Sequence, residues 1–314
     1  MLGDKSMSIS LKLAKIVRFN ISLTTLTGLL ISAGKTLGRI GGADVEPMSI
    51  EKEYGCDKDI VKVRVPYIPG SSLKGRIRSL LEMSLGLPLY SSDGKIWSHT
   101  LSRSVTVDLN GNKITTKDFV QTLTSTDLDL MFGYGAFPIN EVVDDLKKEG
   151  AKNLIDKLVS TITPTSLLVE DLFPDKDLVC RTYRENAIVT FEDFLEDKNE
   201  NRIDRVTSSA DPRTISRVKP GITFNGNMSL LVYNKSVDKA QKYLELLIDG
   251  MKLLELTYLG ASGSRGYGRV KFTQIKVSVY DTQTNTENEI GSYGSVDELR
   301  KDMQKLTNDI GGKK

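Results

Sequence analysis

Two strand–helix–strand patterns in one chain predict an α+β fold: a ferredoxin-like (RRM-like) sheet with helices on one face. The first pattern takes in residues 16–24, 71–85 and 165–173, the second residues 222–233, 236–254 and 270–280. Long polar insertions leave from the loops between them. One, residues 181–220, is charged densely enough to read as a projecting hairpin arm.

In the first strand Val17, Phe19, Ile21 and Leu23 alternate with Arg18, Asn20 and Ser22, the period of a half-buried strand. The chain runs through TGLLISAGK into the loop GRIGGADVEPM, residues 38–48, which carries Asp44. Mixed charge follows, then an alternating piece around Val61, Val63 and Val65; Pro66 and Pro69-Gly70 mark a turn. Ser71 or Ser72 is placed to cap a helix in which Leu73, Ile77, Leu80, Leu81 and Leu85 recur at helical spacing. Gly75 costs that helix about 1 kcal/mol against alanine, which close approach of another backbone would explain. Lys74 and Arg78 fall one turn apart, with Arg76 nearby. They make either a phosphate seat, since a helix N-terminus favours anions, or a solvated basic face.

Residues 86–165 read as an insertion, polar and turn-rich over 91–112, where His99 is expected at the surface or as a cap. DLDLMFGYG, 127–135, reads as a short helix ending at Gly133, and 140–160 as a polar-faced helix. TSLLVEDLF, 165–173, is strand-like. Within 181–220 the acidic stretch 192–200 is expected at a loop tip, with Arg181, Arg184, Arg202, Arg205, Arg213 and Arg217 on its flanks. A solvated charged loop is the competing reading. Phe224, Met228, Leu230 and Val232 mark the next strand, and Leu244, Leu247, Ile248, Met251 and Leu254 the stripe of the next helix. After the strand 270–280, residues 281–294 read as a polar linker. Ser295 and Glu298 then make a capping box for a last amphipathic helix carrying Leu299, Met303, Leu306 and Ile310.

With 314 residues the chain is long enough for one elaborated domain. It reads as a single domain over 8–281, with residues 282–314 as linker and helix. A net charge of +2 means that any basic surface is local. Cys56, Cys180 and His99 supply no thiolate or His/Cys zinc site and no reason to infer a disulfide, which suits a reducing cytoplasm. No apolar run reaches membrane-spanning length and the opening MLGDKSMS lacks the apolar core of a signal peptide, so a cytoplasmic protein with no membrane partner is expected.

The densest glycine cluster is YLGASGSRGYGRV, 258–270, with Gly260, Gly263, Gly266 and Gly268 among Ser262, Ser264, Arg265 and Arg269. Backbone that adopts φ > 0 or passes close to something needs glycine, and serine with arginine points to an anion. The cluster lacks the GK[ST] ending of a phosphate-cradling P-loop, and it follows a helix and precedes a strand, the reverse of that motif's setting. A nucleotide pocket is therefore set aside.

Taken together, PYIPGSSLKGRIRSLLE (66–82) and YLGASGSRGYGRV resemble the helix signature and glycine-rich loop of the RAMP superfamily of CRISPR proteins. ENAI (185–188) and NRIDRVTSSADPRTISRV (201–218) resemble the arm of the Cas7-like backbone subunit of type III effector complexes, here split by a charged insertion. LMFGYG (130–135) and GRIGGAD (38–44) match in order. The resemblance implies a subunit that polymerises along a CRISPR RNA, with a ferredoxin-like palm on the guide backbone. A thumb-like arm would cross the guide–target duplex and splay out one base pair at regular intervals. Its partners would be CRISPR RNA, target RNA, other copies or paralogues of itself and other subunits of the complex.

The resemblance also implies endoribonuclease activity on guide-paired target RNA through Asp44, by attack of the target's own 2′-OH, with a divalent cation such as Mg2+ as a possible aid and no organic cofactor. RNA contacts are expected from Ser71, Ser72, Lys74, Arg76, Arg78, Arg184, Arg205, Arg213, Arg217, Ser264 and Arg265. Two departures stand out: Leu30 occupies a position that is often histidine in the family, and the segment between Asp44 and Pro66 is longer than usual. The alternatives are a non-catalytic RNA-binding paralogue and, lower in rank, an endoribonuclease that processes precursor CRISPR RNA.

Overall fold

A computed structural model describes residues 10–32, 45–99 and 113–311, and in it the chain is an α+β fold built on antiparallel sheets. In chain order the elements begin with β1 (Leu13–Thr25), the hairpin β2 (Ser49–Cys56) and β3 (Asp59–Pro66), and α1 (Gly70–Ser84). Four helices follow: α2 (Thr116–Ser125), α3 (Asp127–Phe132), α4 (Ile139–Lys148) and α5 (Lys152–Thr161). β4 (Leu167–Val169), β5 (Phe173–Pro174) and α6 (Lys176–Asn186) lead to a second hairpin, β6 (Leu195–Ile203) and β7 (Ala210–Val218). The chain ends with β8 (Thr223–Tyr233), α7 (Ala240–Leu256), β9 (Val270–Asp281), β10 (Thr286–Tyr293), α8 (Val296–Lys301) and α9 (Met303–Gly311).

The main sheet runs β10-β9-β1-β8-β4, with β5 also paired to β8. Phe19 faces Met228 on one side and Val277 on the other. Those side chains are fully buried, and burying each contributes about 2 kcal/mol. The apolar face carries α1 and α7. Gly250 lets these helices meet, because a Cβ there would collide with Ile77. Gly75 has open space around it, so the close approach that its presence suggested is made by the partner helix instead.

Several expectations are corrected. The segment 140–160 is two helices, α4 and α5, because Gly150 turns at φ 69°. With α2 they enclose a second small core of Phe119, Val120, Leu123, Val142, Leu146, Leu154 and Leu158. The acidic stretch 192–200 is a short 3₁₀ turn and most of β6, and the hairpin tip lies at 204–209. The expected linker 281–294 is mostly β10, paired with β9. The expected last helix is broken into α8 and α9, which pack on α7. The Ser295 hydroxyl accepts from Glu298 N at 3.2 Å, while the Glu298 carboxylate reaches back to Gly294 N at 2.8 Å.

His99 is buried rather than at the surface, with Nδ1 2.8 Å from the Pro88 carbonyl and Nε2 3.7 Å from Asp129. Cys56 and Cys180, 124 residues apart, form a disulfide that ties the β2–β3 hairpin to α6, where the sequence offers no reason to infer one. Among the described residues no helix is long and apolar enough to cross a membrane.

Candidate functional site

The glycine-rich stretch is a rigid crossing between α7 and β9. Gly260 (φ 76°) lies against the Leu30 carbonyl and Gly268 (φ 73°) against that of Leu259, two places where a Cβ would strike backbone. Hydrogen bonds lace the loop to the end of β1 and the segment after it: Ala261 N to Leu30 O at 2.8 Å, Gly268 N to Gly28 O at 2.9 Å and Leu26 N to Arg269 O at 2.7 Å. Within the loop, Gly263–Arg265 form a 3₁₀ turn that presents Ser264 and Arg265 to solvent.

That laced segment leads towards Asp44, which lies outside the described residues. The chain enters the stretch 33–44 after Ser32 and leaves it at Val45, and these two ends are held together. Ser32 bridges Pro47, and Met48 N donates to Ile31 O at 2.8 Å. Both ends are also bonded to the arm. Leu29 and Val218 exchange two backbone bonds of 2.9 Å, and Ser216 N donates to Val45 O at 3.2 Å. Leu30, Ile215 and Tyr267 form a small buried cluster against which Val45 packs. Leu30, the departure from the family's histidine, is thus a packing residue at this junction. The longer segment before Pro66 is the β2–β3 hairpin.

The electrostatics of the junction centre on Glu200. Its carboxylate accepts from Arg213 at 2.7 Å and from the Tyr267 hydroxyl at 2.7 Å, with Arg265 at 3.8 Å and Lys198 at 3.6 Å. The bond from Arg213, then that from Tyr267, hold its pKa down at about 2. Arg217 pairs with Glu196 at 2.7 Å, fills the space left by Gly28 and lies 4.4 Å from the Tyr267 ring centre, as does Lys198. Four cations against two carboxylates leave this patch basic.

The structure separates the expected contact residues into two groups. Ser71, Ser264, Arg184, Arg205, Arg213 and Arg265 reach solvent, and Arg205 sits at the arm tip. Arg184 is away from the junction, on α6, with Nε 3.2 Å from the Cys180 carbonyl. Ser72 is half-buried at the start of α1. Arg217 is only 15% exposed, against Glu196. The basic residues of α1 turn inward. Lys74 donates to the Leu167 carbonyl at 2.7 Å, and burial lowers its pKa. Arg76 donates to the Tyr258 carbonyl at 2.9 Å. Arg78 is 15% exposed and is held by Glu82, Asp129 and the Gly133 carbonyl. Burial raises the pKa of Asp129 even though Arg78 opposes the shift. Neither serine caps α1: its N-cap is Pro69, and the Asp171 carboxylate takes Gly70 N at 2.8 Å. The proposed phosphate seat therefore already holds an acidic group.

Among the described residues no group of three or more His, Cys, Asp or Glu side chains is placed to hold a metal ion. Asp44, the carboxylate expected to work with a divalent cation, lies outside those residues. Tyr267, Glu200 and Lys198 escaped the sequence reading. A tyrosine set between Gly266 and Gly268 was the available signal, since a large ring there has to be anchored in another element.

Residues 22–271 match the RAMP superfamily. The chain is 31% identical over 251 residues to a protein of Methanothermobacter thermautotrophicus named CRISPR system Cms endoribonuclease Csm3, covering 80% of this chain and 81% of that one. It is 30% identical over 288 residues to a protein of the same name from Methanocaldococcus jannaschii, covering 89% and 90% of the two chains. A solved chain of a Csm3-Csm4 subcomplex from the type III-A CRISPR-Cas interference complex aligns over 94% of this chain and 97% of its own, at 21% identity and a TM-score of 0.47.

Proposed function

Because the chain belongs to the RAMP superfamily and, within it, to the Csm3 endoribonucleases of CRISPR systems, we propose that it is the backbone subunit of a type III RNA-guided interference complex. It binds the CRISPR RNA and, in the cytoplasm, cuts guide-paired target RNA at regular intervals. One observation carries this reading: the glycine loop, the root of the charged arm and both ends of the Asp44 loop meet at a single junction.

The palm is ferredoxin-like. Support comes from the sheet order β9-β1-β8-β4, with α1 between β1 and β4 in the chain and α7 between β8 and β9. The β6–β7 hairpin is the thumb that crosses the duplex. Guide pairing supplies sequence choice, while the protein reads backbone and shape. Exposed Arg205, Arg213 and Arg265, with Ser264, take phosphates.

In cleavage the target's 2′-OH attacks the adjacent phosphate, its proton is removed, and the 5′-oxygen leaves, giving a cyclic phosphate and a free 5′-hydroxyl. Asp44 orients that hydroxyl or accepts its proton. Splaying a base out lets the backbone reach in-line geometry, so positioning supplies much of the rate. The cations at the junction stabilise charge growing on the phosphate oxygens. Purification of the native assembly and sequencing of its bound RNA tests the assignment: repeat-derived RNA of graded lengths is expected, and unrelated cellular RNA would overturn it.

A further inference from the structure

We propose that Tyr267 is a positioning residue for target cleavage: with Glu200 it locks the arm onto the glycine loop and so sets Val45, the residue that follows Asp44, in its working place. The inference rests on the reading of Asp44 as the catalytic group.

The ring of Tyr267 is fully buried at the junction of three segments. Gly266 and Gly268, both at positive φ, flank it and let the loop turn sharply enough to insert a large side chain into another element. What receives it is the arm. Lys198 and Glu200 come from β6, Ile215 and Arg217 from β7, and all four meet the ring, the hydroxyl or the cluster around them. A residue serving only as apolar filler would need no hydroxyl. Here the hydroxyl donates at 2.7 Å to a carboxylate 67 residues away, and bonds to an ionised acceptor are stronger than neutral ones.

The link continues to the Asp44 loop. Ile215 pairs with Val45, and Ser216 N holds the Val45 carbonyl. Rotation of the arm root therefore moves Val45. The phosphate-binding groups are less exposed to loss of the Tyr267 hydroxyl, because Arg205 at the tip and Arg265 on the loop reach solvent without it and Arg213 keeps its own bond to Glu200. In-line attack tolerates far less displacement than phosphate binding does, so the lock acts on rate more than on affinity.

The test uses the reconstituted complex carrying Tyr267→Phe, Glu200→Gln, both together, or Asp44→Ala. Single-turnover cleavage is expected to fall about tenfold in either lock variant, with guide content and target affinity within about twofold of wild type for Tyr267→Phe, which leaves Arg213 on Glu200. The double lock variant is expected to be no slower than the worse single, because both changes act on the same contact, one removing the donor hydroxyl and the other the charge of its acceptor. Unchanged cleavage in both single variants would overturn the proposal, as would affinity falling in step with rate or losses that multiply. If Tyr267→Phe fails to assemble, Glu200→Gln, which leaves the ring in place, decides alone. Cuts that survive Asp44→Ala would refute the catalytic reading of Asp44, while the lock variants still report on the lock.

Discussion

The Arg76 guanidinium lies 4.2 Å from the centre of the Tyr258 ring, and its Nε donates to the Tyr258 carbonyl at 2.9 Å. This double attachment fastens α1 to the glycine loop, and Gly263 leaves the space the ring occupies. Arg76→Ala is therefore expected to lower stability by about 2 kcal/mol, from one charge-assisted hydrogen bond and one cation–π interaction. Thermal unfolding of the isolated subunit measures it. A full-stability variant with weakened RNA binding would instead mark Arg76 as a direct RNA ligand.

Arg205 and Arg265 should behave in the opposite way. Arg205 is exposed at the arm tip, and the side chain of Arg265 is 54% exposed, with Ser262 at 2.7 Å. Alanine at either position is expected to leave the melting temperature unchanged and weaken RNA binding. The slope of log K against log salt should fall by about one for each phosphate that the variant no longer neutralises. Binding titrations across a salt series read this directly.

Arg78 is the strongest structural dependence among the basic residues of α1. Its removal strands Glu82 and Asp129, both buried, beside His99. Arg78→Ala is expected to cost about 3–5 kcal/mol, the range for breaking a buried pair from one side. Denaturant unfolding checks it, and a loss below about 1 kcal/mol, the worth of an exposed pair, would contradict the burial of this cluster.

Glu200 gives a pH signature. Its pKa falls from 4.5 to about 2 in the folded chain, chiefly through Arg213. A depressed acid contributes stability that is fully present above its unfolded pKa and is lost as pH falls through the folded one. The stability of Glu200→Gln should therefore lie below wild type at neutral pH and converge with it between about pH 4.5 and 2, as followed by acid unfolding. A gap that stays constant over that window would mean that the carboxylate is not held by these partners.

Much of this architecture was legible because it repeats with a period. Val17 to Leu23 and Val61 to Val65 alternate, and the stripes of α1 and α7 recur at helical spacing. The glycine loop was legible because four glycines in nine positions have few other uses. Edge elements were not. In β10, TENEIGSY buries fully only Tyr293, so no alternation marks it as a strand. β6 was hidden by its acidity, which suits a hairpin standing clear of the core. The inward turn of Lys74, Arg76 and Arg78 depends on what packs against α1. That comes from Leu167, Tyr258 and Asp129, between 51 and 182 residues away. Local spacing carries no trace of such partners, and the same holds for Tyr267 with Glu200 and for the disulfide between Cys56 and Cys180.

The role proposed for Asp44 in target RNA cleavage is tested most directly by Asp44→Ala in the reconstituted, guide-loaded complex. Mapping of the cut sites on a guide-paired target should show every regularly spaced cut abolished, with guide content and target binding intact. Cuts that persist at full rate and unchanged spacing in an intact complex would contradict it.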